Sequence, residues 1–332
     1  MITDTTCLIL NTIQYRSSHL KTPFTEALRL FNGFYEGDTR FVLDLYGKTL
    51  VIFNYAEIPS EADPIVKELV SILPEKLPFL ESILVKVRNS SSQTEQQGTL
   101  HYGTKLQTRI TEHNIRYSID LTLNQDASFY LDTVNLRKWL ISQMQGKTVL
   151  NTFAYTGSLG VAANAGGAKE VVQTDLERAF LNVAKTSYTL NGFPIEEKNF
   201  ISGDFFKIVS RFKREQRRFD CIILDPPFFS VTDAGRVDLL NESKRLINKV
   251  RPLINNNGWL VAINNALFLP GESYHHQLED LCADGYLAIE TLIPVPETIT
   301  GFPDTIKFLP PVASSPFNHP TKIAVLQVKR KP

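Results

Sequence analysis

Thr148-Val-Leu-Asn-Thr-Phe-Ala-Tyr-Thr-Gly157-Ser-Leu-Gly160 is the stretch that decides how this chain folds. The apolar pair Val149 and Leu150 enters a turn of small and polar residues, and a helical pattern follows from Leu159 to Ala163. Strand, turn and helix in that order predict the first unit of a doubly wound α/β sheet. Working outward, Val171-Val-Gln-Thr-Asp175 reads as the next strand and ends on an acid. A third segment closes at Ile201-Ser-Gly-Asp204, and a fourth strand, Cys221-Ile-Ile-Leu-Asp225, runs into Pro226-Pro227-Phe228-Phe229. Open α/β sheets bind ligands at the carboxyl ends of their strands. Three strand-end carboxylates therefore mark the expected site.

The glycines at the first turn, Gly157 and Gly160, do not complete a G-x-G-x-x-G fingerprint, which argues against a nicotinamide-binding unit. No Walker A loop is present. The chain has 332 residues, 43% of them hydrophobic, so a sizeable core is expected and disorder is not. Lys+Arg and Asp+Glu balance at 35 each, which excludes a uniformly basic coat but not a local basic patch. Cys7, Cys221 and Cys282 are too scattered for a disulfide framework or a metal site, so neither is expected, and a reducing cytoplasm is. The start, Met1-Ile-Thr-Asp-Thr-Thr, lacks the charge and apolar run of a secretory leader. No run approaches the roughly 20 apolar residues of a membrane helix.

Ahead of the main unit, Leu28, Leu30 and Phe31 predict a helix from Pro23 onward. Residues 40–46 and 49–53 flank Gly47-Lys48 and predict a hairpin. A helix over 61–73 and a strand over 82–87 complete a small α+β domain, 1–95. Residues 89–98 read as a linker. A second segment, 96–146, holds an antiparallel pair (105–110 and 114–121) and a helix carrying Leu136, Trp139 and Leu140. The third, 147–332, holds the doubly wound sheet, with further strands at 259–263, 287–293 and 322–328. The Pro-rich stretch from Pro294 to Pro320 is long for a compact domain, and reads as a lid over the site or as unrecognised structure.

The Gly turn, the acid after the second strand, the later Gly203-Asp204 and Asp225-Pro-Pro-Phe228 form an ordered signature that resembles the class I S-adenosylmethionine-dependent methyltransferases. The resemblance implies a seven-stranded Rossmann-like sheet with the last strand antiparallel, and S-adenosylmethionine as cofactor. It implies that Asp175, beside Leu176, reads the ribose hydroxyls. The turn from Asn151 through Phe153, Tyr155 and Thr156 to Gly157 would approach the methionine half. Asp204 would accept from the adenine amino group with Phe205 against the ring, although an N-cap accounts for Asp204 equally well. Asp225 and the Pro226 carbonyl would orient the nucleophile, and Phe228 would stack on a planar base.

Leu150-Asn-Thr-Phe-Ala-Tyr-Thr-Gly157, Asn124-Gln125 with Phe129-Tyr-Leu-Asp132, and Asp225-Pro-Pro-Phe-Phe-Ser230 resemble one branch of that class, the large-subunit ribosomal RNA methyltransferases that include cytosine-C5 and guanine-N7 enzymes. The branch places Phe129 among the cofactor contacts and implies a ribosomal RNA substrate. Asn124-Gln-Asp-Ala-Ser128 departs from its usual Gly-Gln-Lys-Thr-Gly, and Val134 stands where it has an arginine. Cytosine C5 normally needs a thiolate, and that family's C5 enzymes carry a cysteine where this chain has Asn264-Asn265. The guanine-N7 members show Asn-Asn there, so N-methylation is expected, with Asn264 or Asn265 at the base. A protein or small-molecule methyltransferase, or a non-catalytic cofactor binder, are the competing readings. Lys207, Arg211, Lys213, Arg214, Arg217 and Arg218, and a second group from Lys244 to Arg251, are candidate phosphate contacts. The oligomeric state is not legible.

Overall fold

The computed structural model describes residues 3–330. Met1 and Ile2, where the expected absence of a leader begins, lie outside the described residues. The chain divides into two compact bodies, one running up to Leu131 and taking in Pro296–Leu309, the other made of Asp132–Val295 and the chain from Pro310. The expected boundaries at 95 and 146 are replaced by one at 131. The middle segment splits because its strands bond to the first body while its helix packs in the second.

The first body is a five-stranded sheet in the order β1-β2-β3-β4-β5: β1 (Ala27–Asn32), β2 (Phe41–Tyr46), β3 (Thr49–Asn54), β4 (Ser82–Val87) and β5 (Thr99–Tyr102). Helix α1 (Asp4–Tyr15), capped by the Thr3 hydroxyl, precedes it. Gly33–Glu36 forms the single turn α2. Helix α3 (Pro59–Lys76) carries the chain from β3 to the parallel β4. The stretch read as a linker contains α4 (Gln93–Gln97), and β5 follows it, a strand the sequence reading missed. The antiparallel pair β6 (Arg109–Glu112) and β7 (Ile115–Ser118) is present as expected.

The helix expected from Pro23 is a strand. Leu28 and Leu30 are buried on either side of Arg29, a period of two. Arg29 faces Asp44 across the β1–β2 ladder, with Nε 2.7 Å from Oδ1. An irregularity between Arg29 and Phe31 then buries Leu30 and Phe31 in succession, and this imitated a helical face.

The Pro-rich stretch is partly an arm of this body. The Asn32 side chain donates to the Ile299 carbonyl at 3.0 Å, and the Thr305 hydroxyl donates to Glu36. Glu36 also accepts from the Asn32 N–H at 2.7 Å and pairs with Arg16 at 2.9 Å, both side chains being 0% exposed. The Arg16 guanidinium lies 5.2 Å from the Phe302 ring centre.

The second body carries a seven-stranded sheet in the order β10-β9-β8-β11-β14-β16-β15. Its strands are β8 (Thr148–Thr152), β9 (Glu170–Asp175), β10 (Phe200–Ser202), β11 (Phe219–Leu224), β14 (Ile254–Asn264), β15 (Leu287–Leu292) and β16 (Lys322–Val328). Strands β10, β9, β8, β11 and β14 are parallel, and β16 inserts antiparallel between β14 and β15, as the resemblance implied. Between β11 and β14 stands an unexpected hairpin, β12 (Phe229–Thr232) with β13 (Gly235–Asp238). The helices are α5 (Val134–Gln143), α6 (Ser158–Ala165), α7 (Arg178–Asn191), α8 (Phe205–Arg214), α9 (Ser243–Val250) and α10 (Gly271–Cys282). Leu136 and Leu140 of α5 join Val149, Val171 and Ile223 in the core under one face of the sheet. The chain leaves β8 toward β9 on one side and later pairs β11 on the other. That reversal opens a crevice at the carboxyl ends of β8 and β11. Among the described residues no helix is long and apolar enough to cross a membrane.

Glu36→Ala would leave the Arg16 charge buried without its partner, and should cost about 3–5 kcal/mol. Denaturant unfolding followed by circular dichroism measures it. Both tryptophans, Trp139 and Trp259, lie in the second body, so their emission is the wrong probe.

Candidate cofactor and substrate site

The loop after β8 is held in an unusual backbone form. Phe153, Tyr155 and Gly157 have φ of 52°, 51° and 77°. Two of them are not glycine, and left-handed backbone at bulky residues persists only where its surroundings enforce it. The Ala154 N–H donates to the Thr174 carbonyl at 2.9 Å, and the Tyr155 N–H donates to Asp175 Oδ2 at 2.8 Å. Gly157 is required twice over. Its φ suits glycine, and a Cβ there would come within 2.4 Å of Ala184 Cβ and 2.6 Å of Gln173 Oε1. The contact that forbids a side chain is therefore with the protein's own β9 and α7.

Asp175 ends β9 half-buried, with the Glu177 N–H donating to its Oδ1 at 2.9 Å. Burial pushes its carboxyl above the usual range, against the pull of those backbone N–H groups. Leu176 beside it is exposed. Asp204 accepts from the Lys207 N–H at 3.0 Å, so it does cap α8, and its Oδ2 accepts from the Thr232 hydroxyl at 2.6 Å. Phe205, expected against the adenine, is buried and stacked on Phe153 with centroids 4.6 Å apart. Phe153 is the more exposed ring of the pair and forms the open part of this wall.

Three expected contacts sit deeper. The Asn151 side chain is 1% exposed and donates to Gln173 Oε1 at 3.3 Å, below the surface of the loop. Thr156 is also buried. Phe129 belongs to the first body, buried against Tyr117, with its carbonyl accepting from the Tyr46 hydroxyl.

Asp225 follows β11 directly, half-buried. Burial first, and then the charge of Asp132, push its carboxyl up to about 7. Asp132 accepts from the Thr321 hydroxyl at 2.6 Å. Pro226 is buried and Phe228 is 48% exposed, so Phe228 is no core residue. The Asp132 and Thr321 contributions were missed. Asp132 lies in the Phe129-Tyr-Leu-Asp132 stretch, but only the fold brings its charge to bear on Asp225.

Asn264 is a correction. Its side chain is 0% exposed and wholly engaged inside the protein, so it does not reach a substrate rim. Asn265 next to it is exposed. The basic cluster is a second correction. Helix α8 starts at Asp204 on the site's edge and runs back to Arg214, so Arg211, Lys213, Arg214, Arg217 and Arg218 gather at the opposite edge, where β11 begins. Arg217 pairs with Glu170 at 3.0 Å and covers the rings of Phe212 and Phe219. In the second group Arg245 pairs with Glu242, Lys244 with Asp280 and Arg251 with Asp284.

A half-buried carboxylate, an enforced turn, an aromatic wall and an acid before two prolines stand at the carboxyl ends of parallel strands. Those features define a class I S-adenosylmethionine-dependent methyltransferase, and Asp175, the turn at 153–157 and Phe153 fit that cofactor. Residues 90–285 match the S-adenosylmethionine-dependent methyltransferase family, and the chain belongs to it. The chain is 36% identical over 151 residues to ribosomal RNA large subunit methyltransferase I of Aeromonas salmonicida, covering 45% of this chain and 38% of that protein. It is 26% identical over 229 residues to the Aliivibrio fischeri protein of the same name, covering 69% and 58%. The match thus spans about half the length of these curated relatives. Among solved structures, a SAM-dependent methyltransferase from Streptococcus mutans superposes with a TM-score of 0.81 at 21% identity, over 99% of this chain and 82% of that one. SMU.776, crystallised with SAH, gives 0.82 at 22% identity, over 97% and 80%. At these identities the likeness establishes the fold.

Two outcomes are expected. Asp175→Ala should weaken S-adenosylmethionine by about 1.5–3 kcal/mol in calorimetry, the value of a hydrogen bond to a charged acceptor. Asp225→Asn should raise thermal stability at alkaline pH. The native carboxyl's folded pKa lies above its unfolded one, so its contribution is fully present below about pH 4 and is lost as pH rises through about 7. The melting-temperature gap between variant and wild type should therefore open across that window, and a pH-independent gap would contradict the assignment.

Proposed function

We propose that this chain methylates a base of large-subunit ribosomal RNA, at a nitrogen rather than at cytosine C5, in the cytoplasm. One observation carries the choice of a base as the target. The Asp225 carboxyl, with no hydrogen-bond donor to it among the described residues, lies beside an exposed Phe228 at the end of β11. An unengaged acceptor beside an open aromatic face suits a planar group that carries N–H. The names of the relatives support ribosomal RNA as its source.

The residues divide the work by position. Phe228 stacks the base, and Asp225 with the Pro226 carbonyl holds the nucleophilic edge in line for attack. Such positioning supplies most of what an enzyme contributes to methyl transfer. S-adenosylmethionine, when bound, supplies an electrophilic methyl group. A carboxyl held at about 7 can accept a hydrogen bond from an amine above that pH and can take up a proton that leaves it.

Cysteine placement favours nitrogen. Cys221 is 0% exposed in β11, its thiol pushed up by burial, and it lies roughly 13 Å along the strand from Asp225. Cys282 ends α10, its thiol also raised by burial, and Cys7 is in α1 of the first body. With Asn264 now internal, this placement bears the argument alone. All three thiols are free, which suits a reducing compartment.

Unmodified large-subunit rRNA transcript incubated with labelled S-adenosylmethionine should yield an N-methylated nucleoside on mass analysis. Phe228→Ala should lose roughly 1–3 kcal/mol of RNA binding, the value of one stacked base. Transcript carrying 5-fluorocytosine should form no covalent adduct. An adduct that depends on the cofactor and vanishes when one cysteine is replaced would establish C5 chemistry instead.

A further inference from the structure

The buried amide of Asn264 has a use of its own. Its Nδ2 donates to the Leu239 carbonyl at 3.1 Å and to Ser243 Oγ at 2.8 Å, and its Oδ1 accepts from the Ala266 N–H at 2.9 Å. The Ser243 hydroxyl donates to the same Leu239 carbonyl at 2.6 Å. Leu239 then donates its own N–H to the Phe228 carbonyl at 3.0 Å, which adds one rung at the open end of the β12–β13 hairpin. A continuous hydrogen-bonded path therefore joins the end of β14 to the residue that follows Asp225-Pro-Pro. The other end of the hairpin is tied down separately, by the Thr232 hydroxyl on Asp204.

We infer that Asn264 is a positioning residue, whose buried amide fixes the Asp225–Phe228 loop over the strand ends through Leu239. The inference rests on reading that loop as the part that meets the substrate. The geometry accounts for an amide at this position. Only Asn or Gln offers two donors and an acceptor on one planar head. Oδ1 holds the turn after β14, and Nδ2 holds the hairpin. Strand end and substrate loop are thereby placed by one side chain. Without Nδ2 the Leu239 carbonyl would keep only the Ser243 hydroxyl, and an ionised carboxylate in place of the amide would repel that carbonyl, so the loop would shift.

Asn264→Asp is the informative change. It keeps the shape and the acceptor for Ala266 but loses the donor to Leu239 when ionised, and regains one donor when protonated. At about pH 8, amide hydrogen exchange at Leu239 should rise about tenfold, the equivalent of one lost buried hydrogen bond, while β8 and β9 keep their protection. Affinity for S-adenosylhomocysteine should stay at the wild-type value. kcat/KM on unmodified large-subunit rRNA transcript should fall about tenfold, and its ratio to wild type should recover as pH is lowered. Ser243→Ala, a gentler change, should show the same rise in exchange and fall in kcat/KM at smaller amplitude, without the recovery at low pH, if Asn264→Asp does not fold. Unchanged exchange at Leu239 in both variants would overturn the inference. So would an equal fall in cofactor affinity and in turnover, which marks a general packing defect. If exchange at Leu239 responds while the wild-type chain methylates no RNA, the anchor stands and the RNA reading fails.

Discussion

The second body depends on the pairing of β8 with β9 on one side and β11 on the other. Because all three strands are parallel, their carboxyl ends share one edge, and the reversal of chain direction at β8 leaves a crevice there. Every group assigned to the site follows from that edge. Asp175 and Asp225 share that edge because Asp175 is the last residue of β9 and Asp225 the first after β11. The loop between β8 and α6 is then pulled toward β9 by two hydrogen bonds, from Ala154 to Thr174 and from Tyr155 to Asp175.

The same edge explains the electrostatics. Burial is the larger cause of the raised Asp225 pKa, and the charge of Asp132 adds to it. Two acids in one recess disfavour their own ionisation and favour whatever brings a hydrogen-bond donor or a positive charge. A sulfonium cofactor meets that demand. Arg211, Lys213, Arg214, Arg217 and Arg218 do not contribute there, since α8 carries them to the far edge of the sheet, whereas Lys207 stays in its first turn beside Asp204.

Much of this was legible from residues alone. Apolar runs ending in Asp175 and Asp225 located the strand ends, and Asp225-Pro-Pro-Phe228 marked the loop that follows β11. The failures have physical causes. Leu28, Leu30 and Phe31 looked helical because an irregular ladder buries two neighbours in a row. Asn264 looked accessible because its position at a strand end is visible in sequence, whereas its partners Leu239 and Ser243 are brought to it only by the fold. The hairpin at 229–238 has a Gly235 turn but lies beside a motif that drew attention to chemistry. Residues 296–309 belong with the first body through Glu36, a contact between positions far apart in sequence.

The account's central claim is that one strand edge holds both the cofactor and the reacting loop. A crystal structure with S-adenosylhomocysteine tests it most directly. The account predicts the ribose hydroxyls on the Asp175 carboxylate, and the sulfur facing Asp225 and Phe228. A ligand whose ribose is bound elsewhere, or whose sulfur faces away from Asp225, would contradict it.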